Sequence, residues 1–196
     1  MNRTLRKRVA LPAMFMMAFG LLLQPLNMSV AKAQGSPAAW STVGSAGTVD
    51  EDSLSIVDLK NFTVGLADTK TGTVTIRYPI TATRGLTCTP VTDYVIVVRY
   101  RDSDGTGTTG RVFFTIRSTN RSIGGNVTEF TFDSNIFPAT GSSFTSIGIS
   151  ALIAPLDFAN RSYWLEAQIS RTDAAAFANL GSIGFFGRNG GTPCPA

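Results

Sequence analysis

Thr73-Val74-Thr75-Ile76-Arg77-Tyr78-Pro79-Ile80-Thr81-Ala82-Thr83 is the stretch that decides the fold. Val74, Ile76, Tyr78, Ile80 and Ala82 fall on one side of an extended chain, and Thr75, Arg77, Thr81 and Thr83 on the other. Alternation sustained over this length predicts a strand with one buried face and one wet face. The same period recurs downstream. Val112, Phe114 and Ile116 alternate with Arg111, Thr115 and Arg117, and Phe130 and Phe132 with Glu129, Thr131 and Asp133. In 161–171, Tyr163, Leu165, Ala167 and Ile169 oppose Ser162, Trp164, Glu166, Gln168 and Ser170. Tyr94-Val95-Ile96-Val97-Val98 is apolar on both sides and predicts a central strand covered on both faces along its first half. Further strands are expected at 54–66, 144–153 and 180–187.

Turn residues punctuate these runs at Asp68–Gly72, Asp102–Gly110, Gly124-Gly125-Asn126 and Pro138–Gly141, and no helical period of useful length follows residue 34. The expected fold is all-β: a single antiparallel β-sandwich of eight or nine strands, jelly-roll or immunoglobulin-like. The composition of 187–193 predicts a flexible tail, which only Cys194 gives a reason to stay down.

The first 33 residues have a different character. Arg3, Arg6, Lys7 and Arg8 precede an apolar run from Val9 to Leu23, and Ala31-Lys32-Ala33 forms a small-residue site ahead of Gln34. This is the pattern of a cleaved secretory signal peptide. The run is interrupted by Pro12 and falls short of the ~20 residues that span a bilayer. The expected organisation is therefore a signal at 1–33 and one domain at 34–196, located in a periplasm or outside the cell, with no membrane span after cleavage.

Cleavage changes the charge argument. Of 17 basic and 13 acidic residues, five basic and no acidic ones lie in 1–33, so the mature chain carries 12 against 13. The basic balance belongs to the export signal, and nucleic-acid binding loses its main support. Cys88 and Cys194 both remain, and an even cysteine count in an exported chain predicts one disulfide.

Trp40-Ser41-Thr42-Val43-Gly44-Ser45-Ala46-Gly47-Thr48-Val49-Asp50-Glu51 resembles the opening of a group of uncharacterised exported bacterial proteins, and Phe130–Ala139 resembles a later segment of that group. The resemblance spans most of residues 40–171. It implies a single exported β domain and carries no activity, ligand or catalytic residue.

No histidine occurs in the chain, which excludes Ser-His-Asp and Cys-His catalysis and histidine metal sites. Paired carboxylates remain open as a route to glycan hydrolysis, with Glu129 and Glu166 on expected wet faces. Asp102-Ser103-Asp104-Gly105-Thr106-Gly107 resembles the start of a calcium loop, with Asp102, Asp104 and Thr106 as candidate ligands, although Phe113 stands where an EF-hand needs its last carboxylate. A long hairpin loop explains the same residues without a cation, so no cofactor is expected unless calcium binds here. Asp50-Glu51-Asp52 is a turn cap, a second cation site or, more commonly for such a run, solvated surface.

Trp164, with Glu166 and Gln168 beside it, is the candidate ligand site. A flat aromatic next to a carboxylate and an amide suits a sugar ring, whose apolar face stacks while its hydroxyls find polar partners. The competing interpretation covers both faces of the strand and makes Trp164 core, the commoner place for a large aromatic. The function expected is non-enzymatic binding or surface structure, with a glycan or a cell-surface component as candidate partner. A carbohydrate-binding module is the first alternative, and a small carboxylate-dependent glycan-active enzyme the second.

Overall fold

Period-2 burial along the chain resolves into two antiparallel sheets packed face to face. The computed structural model describes residues 39–87, 90–151, 153 and 155–194. The strands are β1 Trp40–Val43, β2 Thr48–Val49, β3 Val57–Lys60, β4 Thr63–Leu66, β5 Gly72–Ile80, β6 Asp93–Asp102, β7 Gly110–Asn120, β8 Gly124–Asp133, β9 Thr145–Ala151, β10 Arg161–Arg171, β11 Ala178–Asn189 and β12 Thr192–Pro193. A five-stranded sheet runs β2-β5-β10-β7-β8. A seven-stranded sheet runs β3-β4-β11-β6-β9, with β1 and β12 also paired to β11.

Eight of these strands make a jelly roll: β4-β11-β6-β9 faces β5-β10-β7-β8, so the chain changes sheet at most connections. This resolves the choice left open between jelly roll and immunoglobulin-like. The strands beyond the expected eight or nine are short pieces at the margins. β12, β1 and β4 lie end to end along one flank of β11, opposite its residues 188–189, 182–185 and 179–180. Trp40 is thereby buried against the core as the anchor of the N-terminal segment.

The inward residues of both sheets form one apolar core. Val74, Ile76, Tyr78 and Ile80 of β5 meet Val112, Phe114 and Ile116 of β7, Leu165, Ala167 and Ile169 of β10, and Tyr94, Ile96, Val98 and Tyr100 of β6. Aromatic rings bridge the layers: Phe132 stacks on Phe114 at 5.0 Å and meets the edge of Tyr100 at 5.3 Å. The buried Tyr78 hydroxyl donates to the Gly44 carbonyl at 2.5 Å. Pro79 interrupts nothing, because β2 pairs β5 only as far as Arg77, and the missing N–H falls beyond its end. Val95 is buried on the outer side of β6, so the expected two-sided cover exists at that residue, while Val97 is half-buried.

Three local expectations are corrected. Residues 54–66 are not one strand: a turn precedes β3, and β3 and β4 form a hairpin around Asn61 at φ +50°, a conformation asparagine tolerates better than most residues. Gly124 and Gly125 start β8 at positive φ, and the turn sits at 121–123. The C-terminal segment is not loose up to Cys194: β11 runs to Asn189 and turns through Gly190-Gly191 into β12, and the Cys194 amide donates to the Gly187 carbonyl at 2.9 Å.

The 102–110 connection is also more internal than a surface loop. Asp102 is fully buried; its Oδ1 accepts from the amides of Asp104 and Gly105, at 3.3 and 3.1 Å, and Ser134 Oγ donates to its Oδ2 at 2.5 Å. Ser134 Oγ in turn accepts from the Val112 amide at 2.8 Å. Asp102 thus ties the loop to the turn after β8. Burial pushes its carboxyl above the ordinary range, against the opposing effect of the Ser134 hydroxyl.

Asp102→Ala leaves three donors in a buried site without their acceptor and is expected to cost ~2 to 4 kcal/mol by urea denaturation, whereas Asp102→Asn keeps most of the bonds and costs much less. A carboxyl whose folded pKa is raised contributes most stability below its unfolded pKa and loses it as pH rises through the folded value. The Asp102→Asn variant is therefore expected to gain on the wild type as pH rises across that window. Equal losses for Ala and Asn at every pH would contradict this role.

Candidate functional site

The pleat of β10 sends Leu165, Ala167 and Ile169 into the core and Ser162, Trp164, Glu166, Gln168 and Ser170 to the outer face of the five-stranded sheet. Pairing with both neighbours along its length sets what flanks each residue. Trp164 lies between Pro79 of β5 and Arg117 of β7, Glu166 between Arg77 and Thr115, and Gln168 between Thr75 and Phe113. The sheet therefore gathers Trp164, Glu166 and Gln168 onto one surface, as the alternation predicts.

Trp164 is half-buried, takes no part in the core cluster and has no hydrogen-bond partner among the described residues. Among those residues the only side-chain polar atom both buried and unpartnered is Thr83 Oγ1, so the indole Nε1 reaches solvent. The Gln168 amide is exposed and is likewise without a partner among the described residues. Phe113 adds a second half-buried ring, with the Arg111 guanidinium 4.5 Å from its centroid.

Glu166 has a different situation. Its Oε2 accepts from Arg77 Nε at 2.8 Å, and Arg117 Nη2 approaches Oε1 at 3.5 Å. Arg77 also donates to Asp50 Oδ2 at 3.0 Å, and the Glu166 bond raises its pKa. Asp50 also caps the 3-10 turn Glu51–Ser53 by accepting from the Asp52 amide, so the acidic run at 50–52 is a turn cap. At the far end Arg111 forms a two-point pair with Asp133, at 2.9 and 2.6 Å, which holds the Asp133 carboxyl below its ordinary range. Three arginines on this face thus meet three carboxylates, and the surface is polar yet nearly balanced in charge. Alternation places Arg77, Arg111 and Arg117 on wet faces, but none of them was a candidate site residue; that they meet Glu166, Asp50 and Asp133 is legible only once the register is known.

Glu129, the other carboxylate considered for catalysis, accepts from Ser118 Oγ at 2.5 Å and lies 3.7 Å from Arg161. Both glutamates are therefore engaged by basic or hydroxyl partners.

Of the candidate calcium ligands, Asp102 and Asp104 bring their carboxyls together beside Gly110. Asp104 accepts from the Thr109 amide and hydroxyl, both at 2.7 Å, and from the Gly110 amide at 2.9 Å. Burial opposes ionisation of Asp104, but these bonds together hold its carboxyl below the ordinary range. Asp102 faces inward as described, and Thr106 is exposed. Among the described residues no three acidic or cysteine side chains are grouped to hold a metal ion. The acids of this loop accept from the loop's own amides and, at Asp102, from the Ser134 hydroxyl.

Cys88 lies outside the described residues, as do the signal segment and its cleavage site, while Cys194 is buried beside Gly187. No helix among the described residues is long and apolar enough to cross a membrane.

No protein-family model matches the chain, and no curated protein matches it. Among solved structures it is similar to the carbohydrate-binding module CBM36 in complex with calcium and xylotriose, at 15% identity over 74% of this chain and 98% of that one, with a TM-score of 0.39. It is also similar to a CBM4 structure, at 14% identity over 76% and 95% of the two chains and a TM-score of 0.39. A third similarity is to the CBM22-1–GH10 modules of the Clostridium thermocellum endo-1,4-beta-D-xylanase 10B complexed with xylohexaose, at 13% identity over 80% and 26% and a TM-score of 0.34. At this distance the likeness transfers neither a ligand nor a residue role.

Proposed function

We propose that the protein is an exported, non-enzymatic glycan-binding β-sandwich whose ligand lies on Trp164, across the outer face of the five-stranded sheet. The observation that carries this reading is the state of Trp164: a half-buried indole on an outer strand face, with its N–H unengaged by any described residue. Such a ring offers a sugar an apolar platform and one donor at its rim. Gln168 supplies an unengaged amide four residues along, and Thr75 opposite it on β5 lies on the same surface. Charge balance on this face favours a neutral chain of sugars over an acidic one. The rival hydrolytic reading asks for a free acid and a free base or nucleophile; Glu166 and Glu129 are instead held by Arg77, Arg117, Ser118 and Arg161.

Trp164→Ala is expected to abolish retardation of the mature protein in affinity gels containing the neutral glycan identified on an array, with no reducing ends released by the wild type. Its stability should fall by less than about 2 kcal/mol, against ~3 to 5 for the buried Phe114→Ala. Gln168→Ala should weaken binding without any loss of stability. A loss for Trp164→Ala as large as that for Phe114→Ala, or undiminished glycan binding, would remove the site.

The protein is read as needing no cation. Millimolar calcium is expected to leave the melting temperature unchanged, because a ligand of the folded state must raise it by linkage. A rise that Asp104→Asn abolishes would restore Asp102, Asp104 and Thr106 as a calcium site.

Export also implies a Cys88–Cys194 bridge, since both cysteines enter an oxidising compartment. In the chain-entropy model a loop of this length restricts the unfolded state by ~4 to 5 kcal/mol. Mass spectrometry of the exported protein should show an N-terminus at Gln34 and one linked peptide pair containing both cysteines. Two alkylatable thiols would rule the bridge out.

A further inference from the structure

The outer face of the seven-stranded sheet carries a second cluster of a different kind. Phe62, in the β3–β4 turn, and Phe177, just before β11, are 39% and 40% exposed, and Phe144 before β9 is half-buried. Two arginines of β6 are interleaved with them. The Arg99 guanidinium lies 5.2 Å from the Phe62 centroid and 5.6 Å from that of Phe144; Arg101 lies 5.6 Å from Phe144 and 4.2 Å from Phe177.

The cluster is preorganised by backbone. The amide of Gly44 donates to the Phe62 carbonyl at 2.9 Å and Ser45 Oγ to that of Asn61 at 2.5 Å, which fixes the turn. Phe177 is clamped at both ends, its carbonyl accepting from the Ser103 amide and its amide donating to Ser103 Oγ, each at 2.9 Å. Gly181 sits at a register shift of β11, and a Cβ there would come within 3.2 Å of the Phe144 ring. Arg101 donates through Nε and Nη2 to Asn179 Oδ1, at 3.1 and 2.7 Å, and Gly65 leaves the space that Asn179 occupies.

Charge separates this surface from the Trp164 face. Neither Arg99 nor Arg101 is paired with a carboxylate among the described residues, and the acid in the same cross-strand row, Asp58, is taken by Lys60 at 2.6 Å. Arg99 makes no side-chain hydrogen bond within the described residues, so its donor fork is presented outward between two rings. A planar guanidinium that is weakly hydrated and already flanked by aromatic faces is suited to two-point recognition of a carboxylate. The exposed phenyl rings on either side call for a ligand whose body has an apolar face. A phosphodiester strand would need a track of basic groups along its length, and here only two arginines stand together in a mature chain that carries more acidic than basic residues.

We propose that this face is a second binding surface, for a carboxylate-bearing sugar, with Arg99 taking the carboxylate and Phe62 and Phe144 the pyranose ring. Arg101 positions Phe144 and Phe177 and adds charge. The site is independent of the one at Trp164 and goes beyond it.

Titration calorimetry of the mature chain, residues 34–196, with trigalacturonate and with its methyl ester tests the assignment. The ester keeps the rings and removes the charge. Trigalacturonate is expected to bind at least about tenfold more tightly than the ester. Arg99→Gln should erase that difference, Arg99→Lys should restore part of it, and Trp164→Ala should leave it intact, which separates failure here from failure of the neutral site. Equal affinity for acid and ester, or an acid preference that survives Arg99→Gln in a variant of unchanged melting temperature, would overturn the proposal. So would tighter binding of an oligothymidylate or a sulfated trisaccharide than of trigalacturonate. A wild-type dimer in sedimentation that Arg99→Gln converts to monomer would assign the face to self-association and overturn it equally.

Discussion

Everything on the five-stranded sheet depends on β10 being paired along both flanks. Its register holds without a shift from Arg161 to Arg171 against β7 and from Tyr163 to Arg171 against β5. A slip of one residue would exchange Leu165, Ala167 and Ile169 for Trp164, Glu166 and Gln168, burying a carboxylate and an amide in an apolar core. The core and the candidate site are therefore one constraint seen from two sides. The packing that fixes the inner residues fixes the outer ones, and it brings Arg77 and Arg117 to Glu166 from strands that lie far apart in sequence.

That constraint explains which features could be read from the chain alone. Alternation assigns a face as soon as a strand exists, so the outward placement of Trp164, Glu166 and Gln168 and the inward placement of Tyr163 and Leu165 were legible from residues 161–171. The alternation at 73–83 and 111–117 was equally clear, although β5 stops at Ile80. Asn61 hid a hairpin because its turn uses no glycine or proline, and Gly124-Gly125 suggested a turn where the glycines open a strand. Asp102 illustrates a deeper limit. Aspartate among glycines looks like solvent-exposed loop, and only the positions of Ser134 and Thr140, more than thirty residues away, make it a buried acceptor that organises the loop.

The cluster around Arg99 was invisible for the same reason in stronger form. Its members come from the β3–β4 turn, β6, the start of β9 and the start of β11, and none belongs to a motif. What identifies it is a contrast in how arginine is used. On the five-stranded sheet, Arg77, Arg111 and Arg117 meet carboxylates; on the seven-stranded sheet Arg188 pairs with Asp93 at one end, whereas Arg99 and Arg101 meet aromatic faces and neutral amide or carbonyl oxygens. A guanidinium held by rings keeps its charge unspent, and one held by a carboxylate does not.

The jelly roll lets both arrangements coexist. Its two layers are about 10 Å apart, and outward side chains stand further apart still. Ions in solution screen exposed charges over ~8 Å at physiological strength. The balanced network around Glu166 therefore cannot neutralise Arg99 across the core, and unpaired charge on one face does not disturb the other. Each sheet presents its outer residues to solvent with an electrostatic character of its own, set by register on one side and by loop-borne phenylalanines on the other. A single domain with few charges can in this way offer a neutral aromatic platform and a cationic aromatic one without either compromising the shared core.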